Sequence, residues 1–318
     1  MSIISIIKKI KIFDLGTFQK ILITGGTGFL GSAITRLLSD NGYKLFVLKR
    51  TGSDTYRIND LIKEGRVNLI DIDNEDLFEV FKFQKFDIVI HAATSYGRND
   101  QTHEEIAKVN IELPAKLLEF AIANKSKLFI NTDTFFELTG DDNQRDLEYI
   151  KTKKGFLKLA ENTAKNITKF ANLRLEHVYG PDDNPTKFVP FLIRKLCHGN
   201  TVDFNPGEHK RDFIYLEDVA NAFLQTIKNL KKLGPWEEFG IGTEEIHTIK
   251  DLGEEIRNHL TRSGAINWGA KPYSIGENMH SKGADTSNNQ KIGWGCTYSF
   301  DKGVKKTVES YLKSYEKK

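Results

Sequence analysis

Apolar and polar positions along this chain form blocks that predict strands and helices in regular succession. Short, nearly continuous apolar runs predict six buried strands, at residues 21–23, 45–48, 67–70, 87–90, 128–130 and 172–175. Apolar residues spaced three and four apart predict the helices that lie between them, at residues 32–38, 77–81, 104–123 and 149–170. Because strands without polar alternation are buried on both faces, this pattern indicates an α/β fold with a doubly wound parallel sheet.

The pattern changes after Tyr179-Gly180-Pro181, where prolines and shorter elements become frequent. A chain of 318 residues has room for one large domain and a smaller lobe. We predict a main domain at residues 20–180 that also receives about 212–243, because 218–228 has the spacing of another helix. The smaller C-terminal lobe is predicted at 181–211 and 244–318, with a helix at 188–196.

Residues 1–19 form a predicted N-terminal extension in which isoleucines at helical spacing precede three lysines. A signal peptide would place its charges before a longer apolar stretch, so we expect a helix or arm that packs on the protein. Weak contact with a membrane surface is the alternative.

A glycine-rich segment follows the first predicted strand and opens the first predicted helix. It has the pattern G-x-x-G-x-x-G, with small residues that let the backbone approach a pyrophosphate, and the helix N-terminus favours the negative charge. This context of strand, loop and helix predicts a Rossmann-type dinucleotide site. The expected contacts are Gly25, Thr27, Gly28, Phe29, Leu30 and Gly31.

The end of the second predicted strand indicates which dinucleotide binds. An acidic residue there would bind the adenosine ribose of NAD, but this strand runs into Lys49, Arg50 and Ser53. We therefore expect NADP rather than NAD, with Arg50 and Ser53 on the 2′-phosphate and Lys49 nearby; a solvated basic turn is the alternative. Further expected cofactor contacts are Asp71, Ile72, Ala92, Ala93, Thr94, Asn110 and His177.

Tyr149 and Lys153 have the spacing Y-x-x-x-K, which places both side chains on one face of a helix. A free tyrosine has a pKa near 10, and a neighbouring ammonium lowers the pKa of a phenol. Tyr149 is thus a candidate proton donor, with Lys153 also holding the nicotinamide ribose. Thr132 follows the fifth predicted strand, where ligand-facing residues gather, and is the candidate hydroxyl for the reacting carbonyl.

Charge and cysteine content narrow the function classes. The net charge is +3, from 46 basic and 43 acidic residues, which gives no case for nucleic acid or an anionic membrane. No apolar run reaches the roughly 18 residues of a membrane span, so we expect no stable membrane insertion. Two cysteines are typical of a reducing cytoplasm. The eight histidines and two cysteines lack metal-ligand spacing, and His91 is expected to be a satisfied core histidine.

Several motifs in order resemble the extended short-chain dehydrogenase/reductase family of the NAD-dependent epimerase/dehydratase type. They are the glycine loop, Thr132, the Y-x-x-x-K pair, residues 177–181 and residues 211–213, from Lys20 onward. Residues 131–136, 173–181 and 207–215 are most similar to the reductases that make CDP-abequose or CDP-paratose. The resemblance implies a nucleotide-diphospho-sugar substrate, with contacts from Thr94, Tyr96, Thr132, Asp133, Thr134, His177, Lys187, Phe188, Arg211 and Lys282.

The resemblance also implies an activity. Similar sugar dehydratases place Asp-Glu after the threonine, whereas Asp133-Thr134 lacks the glutamate, which argues against dehydration. We expect an NADPH-dependent C4 ketoreductase of a nucleotide-linked 4-keto-6-deoxy or 3,6-dideoxy hexose, with CDP as the expected nucleotide, in deoxysugar and O-antigen synthesis. A C4 epimerase with tightly held NAD is one alternative, and a non-catalytic dinucleotide-binding regulator is another. A homodimer is an expectation from the resemblance alone, whereas the cytoplasmic location is expected from the two cysteines.

Overall fold

The computed structural model describes residues 19–74, 77–97, 101–135, 147–164, 168–261, 263–274, 277–280 and 282–315. The strands are β1 (Lys20–Thr24), β2 (Lys44–Lys49), β3 (Val67–Asp71), β4 (Ile88–His91), β5 (Leu128–Thr134), β6 (Lys169–Leu175), β7 (His177–Tyr179), β8 (Val202–Asp203), β9 (Lys210–Tyr215), β10 (Trp236–Ile241), β11 (Ile246–Thr248) and β12 (Ile266–Asn267). The predicted extension, apart from Gln19, lies outside the described residues.

The α-helices are α1 (Phe29–Asp40), α2 (Asn59–Lys63), α3 (Leu77–Phe83), α4 (His103–Ala107), α5 (Leu113–Ala123), α6 (Leu147–Ala164), α7 (Phe188–Cys197), α8 (Leu216–Lys228), α9 (Ile249–Asn258) and α10 (Phe300–Tyr315). A π-helical turn at Lys108–Glu112 joins α4 to α5. Shorter 3₁₀ turns lie at Tyr56–Ile58, Leu230–Lys232 and Ser287–Ile292.

The main sheet is a seven-stranded parallel sheet with the order β10-β6-β5-β4-β1-β2-β3. Alternate residues of each strand face opposite layers. On β1, Ile21 and Ile23 belong to the core beneath α1 and α8, whereas Leu22 belongs to the core beneath α5 and α6. The predicted doubly wound α/β fold is therefore confirmed. The strand order reverses between β1 and β4, which opens a crevice at their carboxyl ends.

The helix predicted at 149–170 is too long. Helix α6 ends at Ala164, and Phe170 lies in β6, opposite Phe129 of β5. Its ring stacks on Phe129 at 5.5 Å and on Trp236 at 4.3 Å between ring centroids. Apolar spacing alone cannot separate the last turn of a helix from the first residues of a buried strand, so only the pairing of β6 resolves them.

The smaller lobe is built around a second sheet and a separate core. Strand β9 pairs antiparallel with β11 and parallel with β7, while β8 and β12 form a two-stranded pair. Helices α7, α9 and α10 cover this part with the side chains of Leu192, Ile256 and Val308. Helix α8 packs on the main sheet instead, as the proposed division expects. Strands β7 and β9 pair in the sheet of the smaller lobe, although the proposed division assigns His177–Tyr179 and most of β9 to the main domain. Among the described helices, none has the length and apolarity to cross a membrane.

Candidate active site

The glycine loop has a backbone that side chains would obstruct. Gly25 has φ +69°, and a Cβ atom there would lie 2.6 Å from the amide nitrogen of Ala93. A Cβ at Gly31 would overlap the carbonyl oxygen of Gly25. Helix α1 then begins without a side-chain cap at Gly28 and without an acidic residue in its first turn. Its free N–H groups and positive end therefore fit the pyrophosphate of a dinucleotide.

A cavity of about 1070 Å³ extends from this loop across the carboxyl ends of the strands. It joins the end of β2 to the ends of β5 and β7 and to the start of α7. The predicted site residues that line it are Gly25, Thr27, Gly28, Phe29, Leu30, Gly31, Lys49, Arg50, Ser53, Ile72, Ala92, Ala93, Thr94, Tyr96, Thr132, Asp133, Thr134, Tyr149, Lys153, His177, Lys187 and Phe188.

Asp71 and Asn110 do not line the cavity but hold residues that do. The Asp71 carboxylate forms an ion pair with the Lys49 ammonium at 2.9 Å, which neutralises that lysine. Asn110 is buried in the π-helical turn, where its amide oxygen accepts a hydrogen bond from the Ser95 amide at 2.8 Å. Its amide nitrogen donates to the Thr152 hydroxyl at 3.0 Å. Asp71 and Asn110 thus influence the shape of the site indirectly, because they hold Lys49 and Ser95, which line it.

Arg211 and Lys282 also lie outside the cavity lining. The Arg211 guanidinium donates to the carbonyl oxygens of Lys210 at 2.7 Å and Asn278 at 2.6 Å. The Lys282 side chain is exposed. Of the three cations expected to hold the diphosphate, only Lys187 faces the cavity, where it pairs with Asp183 at 3.1 Å.

Thr132, Tyr149 and Lys153 all line the cavity. The Lys153 ammonium donates to the main-chain carbonyl of Thr132 at 2.8 Å, and this bond fixes α6 against the end of β5. The Thr132 hydroxyl is buried and has no hydrogen-bond partner among the described residues. An unpaired buried hydroxyl costs free energy unless a ligand completes it. Thr132 therefore has an unused hydroxyl donor, and it lines the same cavity as Tyr149.

Burial raises the pKa of Tyr149 well above its usual value of 10. The nearby Tyr96 and the Asp133 carboxylate raise the pKa further, while hydrogen-bonding interactions with Thr134 and Thr94 oppose the change. The pKa lowering expected from Lys153 alone is thus outweighed, because the phenol is only 5% exposed and a carboxylate lies nearby. Tyr149 is held in its protonated form at neutral pH.

Asp133 belongs to a network of polar groups that begins with buried side chains on β5 and β6 and ends at an exposed carboxylate on β10. Its carboxylate accepts a hydrogen bond from the Asn172 amide at 2.7 Å, and the Asn172 amide oxygen accepts one from Asn131 at 2.8 Å. Arg174 lies 3.6 Å from the same carboxylate and forms an ion pair with Glu238 at 2.8 Å. These contacts hold an acidic side chain at the wall of the cavity.

His177 lies between two aromatic rings, with centroids 4.4 Å from Phe135 and 5.9 Å from Phe213. Burial lowers the pKa of His177 to about 3, and the charge of Arg211 acts in the same direction. The imidazole is therefore neutral at physiological pH. A neutral imidazole adds no positive charge to the site.

His91 is only partly the satisfied core histidine that the sequence predicts. Its Nδ1 atom lies 2.9 Å from the Thr24 hydroxyl, but its buried Nε2 atom has no partner among the described residues. The Thr24 oxygen also accepts from the amides of Ala92 and Ala93, so its proton is directed to Nδ1 and the imidazole proton to Nε2. Burial lowers the pKa of His91 well below its usual value, and the charge of Lys153 lowers this pKa further.

Sequence patterns missed several residues that line the cavity. Arg57, Glu176, Asp183 and Asn184 face it, and no motif or strand end marks them. Arg57 follows a loop after β2, and its position depends on the turn Tyr56–Ile58. Of these four residues, Glu176 alone has a signal in the sequence, because it directly precedes His177 within the motif residues 173–181.

One further cluster brings potential metal ligands together outside this cavity. Atoms of Glu255, His259 and Asp301 lie within 4.8 Å of one another on the smaller lobe. The His259 Nε2 atom contacts the two carboxylates at 3.0 and 3.1 Å, which joins α9 to the first turn of α10. Direct contacts of this kind account for the cluster as a link between two helices.

Comparisons with known proteins agree with this architecture. The model of the NAD dependent epimerase/dehydratase family matches residues 21–242. A CDP-abequose synthase of Salmonella muenchen is 35% identical over 292 residues, which cover 91% of this chain and 97% of that protein. A CDP-abequose synthase of Salmonella typhimurium strain LT2 is 31% identical over 306 residues, which cover 92% of this chain and 99% of that protein.

A solved structure gives the same result for the fold. The UDP-glucose 4-epimerase of Thermotoga maritima, determined with UDP-glucose, superimposes with a TM-score of 0.79 at 25% identity and covers 93% of this chain and 100% of that one. The resemblance inferred from the motifs is confirmed, and the chain is an enzyme of the nucleotide-sugar oxidoreductase type. It belongs to the NAD dependent epimerase/dehydratase family, the extended type of short-chain dehydrogenase/reductase.

Proposed function

We propose that this protein is an NADPH-dependent ketoreductase that acts at C4 of a nucleotide-linked 4-keto-6-deoxy or 3,6-dideoxy hexose. The observation that carries the proposal is that the phenol of Tyr149 and the side chain of Thr132 line the same cavity, which also reaches the basic turn at Arg50. Reduction of a carbonyl needs a proton donor, which the phenol can supply.

The roles of the chain's own residues follow from this geometry. The Thr132 hydroxyl donates to the carbonyl oxygen of the substrate and orients it toward the phenol of Tyr149. Tyr149 transfers its proton to that oxygen as the carbonyl becomes an alcohol. Lys153 holds the end of β5 through the Thr132 carbonyl and stabilises the phenolate that remains. NADPH, when bound, supplies the hydride that reaches C4.

The preference for NADP rests on the end of β2. Arg50 and Ser53 line the adenosine end of the cavity, and the Ser53 hydroxyl accepts a hydrogen bond from the Arg50 amide at 3.1 Å, which shapes the turn. Lys49 is neutralised by Asp71, so Arg50 and Ser53 are the proposed ligands of the 2′-phosphate. A planar guanidinium is well matched to a phosphate.

The proposed substrate carries CDP, because the similar Salmonella proteins are CDP-abequose synthases. Tyr96, Asp133, Thr134, His177, Lys187 and Phe188 surround the space for the sugar and its diphosphate. The product would serve deoxysugar and O-antigen synthesis. We also propose a cytoplasmic homodimer; the two free thiols, Cys197 and Cys296, suit a reducing compartment.

The test is consumption of NADPH, followed by absorbance, with CDP-linked 4-keto-6-deoxy and 3,6-dideoxy hexoses, and identification of the product by NMR. The dTDP- and UDP-linked keto sugars and NADH serve as comparison arms. We expect turnover to be fastest with a CDP sugar and NADPH. Absence of NADPH oxidation with every keto sugar would contradict the proposal and favour a non-catalytic dinucleotide-binding regulator.

A C4 epimerase with tightly held NAD is the second candidate, since the solved relative with a TM-score of 0.79 is a UDP-glucose 4-epimerase. An epimerase of this kind needs tightly held NAD, which the basic turn at Arg50 and Ser53 does not favour. Stoichiometric NAD in the purified protein, together with interconversion of 4-hydroxy sugars without added cofactor, would favour the epimerase.

A further inference from the structure

Arg57 contacts both halves of the molecule. Its guanidinium donates from Nε and Nη2 to the carbonyl oxygen of Asp182, at 2.9 and 2.7 Å. It also donates from Nη1 to the carbonyl oxygen of Thr27 in the glycine loop, at 3.4 Å. One side chain therefore joins the glycine loop to a segment of residues 181–187, which we call the bridging loop.

The bridging loop is held on its other side by the smaller lobe. The Tyr311 hydroxyl of α10 accepts a hydrogen bond from the Asp183 amide at 3.1 Å. Asp183 in turn pairs with Lys187, whose ammonium lies 5.4 Å from the ring centre of Phe29 in the first turn of α1. Because Lys187 ends the loop and Phe188 starts α7, the position of the loop sets this wall of the cavity.

Arg57 retains donors for a ligand. A guanidinium has five N–H donors, and the three bonds to carbonyl oxygens use three of them. Among the residues that the structure describes, no carboxylate forms an ion pair with Arg57, and its guanidinium carbon lies 4.4 Å from the ring centre of Tyr56. The side chain lines the same cavity as Arg50 and Ser53. Arg57 is thus a positioned cation with two N–H groups that these three bonds do not use.

We propose that Arg57 binds a phosphate group of the dinucleotide while it holds the bridging loop, so that cofactor binding orders the wall that contacts the nucleotide sugar. A phosphate oxygen that accepts the two remaining N–H groups restricts the guanidinium to one position, and the guanidinium in turn restricts the bridging loop through the carbonyl oxygen of Asp182. The inference rests on the proposed dinucleotide site but not on the reaction that the enzyme performs.

The experiment measures two quantities in the full chain, the dissociation constants of NADP⁺ and NAD⁺ by calorimetry and the hydrogen exchange of residues 181–187 with and without saturating NADP⁺. In the unmodified protein we expect NADP⁺ to slow exchange in the bridging loop. Arg57→Ala should raise the dissociation constant of NADP⁺ about tenfold, as for loss of a charge-assisted hydrogen bond, and abolish this protection.

Two further variants make the outcome specific. Arg57→Lys keeps the charge but cannot bridge two carbonyl oxygens and a phosphate, so it should keep part of the affinity and lose the protection. Arg66→Ala removes a guanidinium that pairs with Asp40 and Glu64 away from the cavity, and it should behave as the unmodified protein. Arg57→Lys also serves as the test if Arg57→Ala does not fold.

The two cofactors distinguish the phosphate groups. Weaker binding of both NADP⁺ and NAD⁺ to Arg57→Ala assigns the contact to the pyrophosphate, and weaker binding of NADP⁺ alone assigns it to the 2′-phosphate. Unchanged affinity in Arg57→Ala, or unchanged protection of the bridging loop, overturns the inference. If Arg57 passes these tests while the protein reduces no keto sugar, the proposed activity fails and this inference stands.

Discussion

The ammonium of Lys153 donates to the main-chain carbonyl of Thr132 at 2.8 Å, so α6 is tied to the end of β5 by the lysine of its own Y-x-x-x-K motif. The Thr132 hydroxyl has no hydrogen-bond partner among the described residues, and Thr132 lines the same cavity as Tyr149. The proposed proton donor and the proposed carbonyl-orienting hydroxyl are thus positioned before any ligand binds, which would lower the cost of reorganisation during the reaction.

Tyr149→Phe removes the proton donor and should lower kcat by at least about a hundredfold, the lower range for loss of a general acid. Thr132→Val removes the orienting hydroxyl at nearly constant volume and should cost about a hundredfold in kcat. Stopped-flow measurement of NADPH oxidation gives the rates, and calorimetry with NADPH shows whether the cofactor site persists. Turnover within a fewfold of the unmodified enzyme in Tyr149→Phe would refute its assignment.

Asp133→Asn should move the alkaline limb of the pH profile of kcat/KM to lower pH. The carboxylate raises the pKa of Tyr149, and reduction needs the protonated phenol, so activity is retained until pH rises through that raised value. Without the charge the pKa of Tyr149 falls, and activity is lost at lower pH. Asp183→Asn, which removes another carboxylate from the cavity wall, is the matched control. A shared alkaline limb in all three proteins would contradict the prediction.

Arg50→Ala should weaken NADPH by about tenfold and leave NADH almost unchanged, because a charge-assisted bond to the 2′-phosphate is lost. Lys44→Ala removes an exposed cation from the other end of β2 and should affect neither cofactor. Fluorescence titration of both cofactors measures the ratio of their dissociation constants. Equal weakening of NADPH and NADH in Arg50→Ala would assign Arg50 a general electrostatic effect instead of cofactor selection.

His177 should make the free energy of unfolding depend on pH in a defined window. Its pKa falls from 6.5 in the unfolded chain to about 3 in the folded protein, so the unfolded state binds a proton first as pH drops below 6.5. Stability is therefore present above pH 6.5 and is lost progressively toward pH 3, with roughly 2 kcal/mol lost by pH 5 from this group.

His177→Gln removes this proton and should reduce the loss of stability between pH 6.5 and 5. His91 has a pKa shift in the same direction, so part of the pH dependence remains in the variant. Urea unfolding at several pH values measures the slopes for both proteins. Identical slopes would show that His177 is protonated in the folded protein and that its burial does not hold it neutral.

The sequence alone determined the fold class, because buried strands and amphipathic helices have different periods and the glycine loop lies between the first two elements. The sequence also predicts that Tyr149 and Lys153 lie close together, because residues four apart lie on the same face of a helix. It could not end α6 before Phe170, whose place in β6 depends on pairing with β5. Helices and strands can be predicted from the local spacing of apolar residues because their periods depend on backbone geometry that every chain shares.

Tertiary structure decided which charges remain for a ligand. From the sequence, Lys49 and Arg50 are equivalent cations at the end of β2, yet Asp71 from the next strand neutralises Lys49. Arg211 belongs to a motif of the family, but its guanidinium bonds two carbonyl oxygens and does not line the cavity. Arg57 belongs to no motif, yet it lines the cavity. Ion pairs and burial join residues far apart in the chain, so the pKa of Tyr149 and the partners of each cation arise only when the strands and loops are assembled.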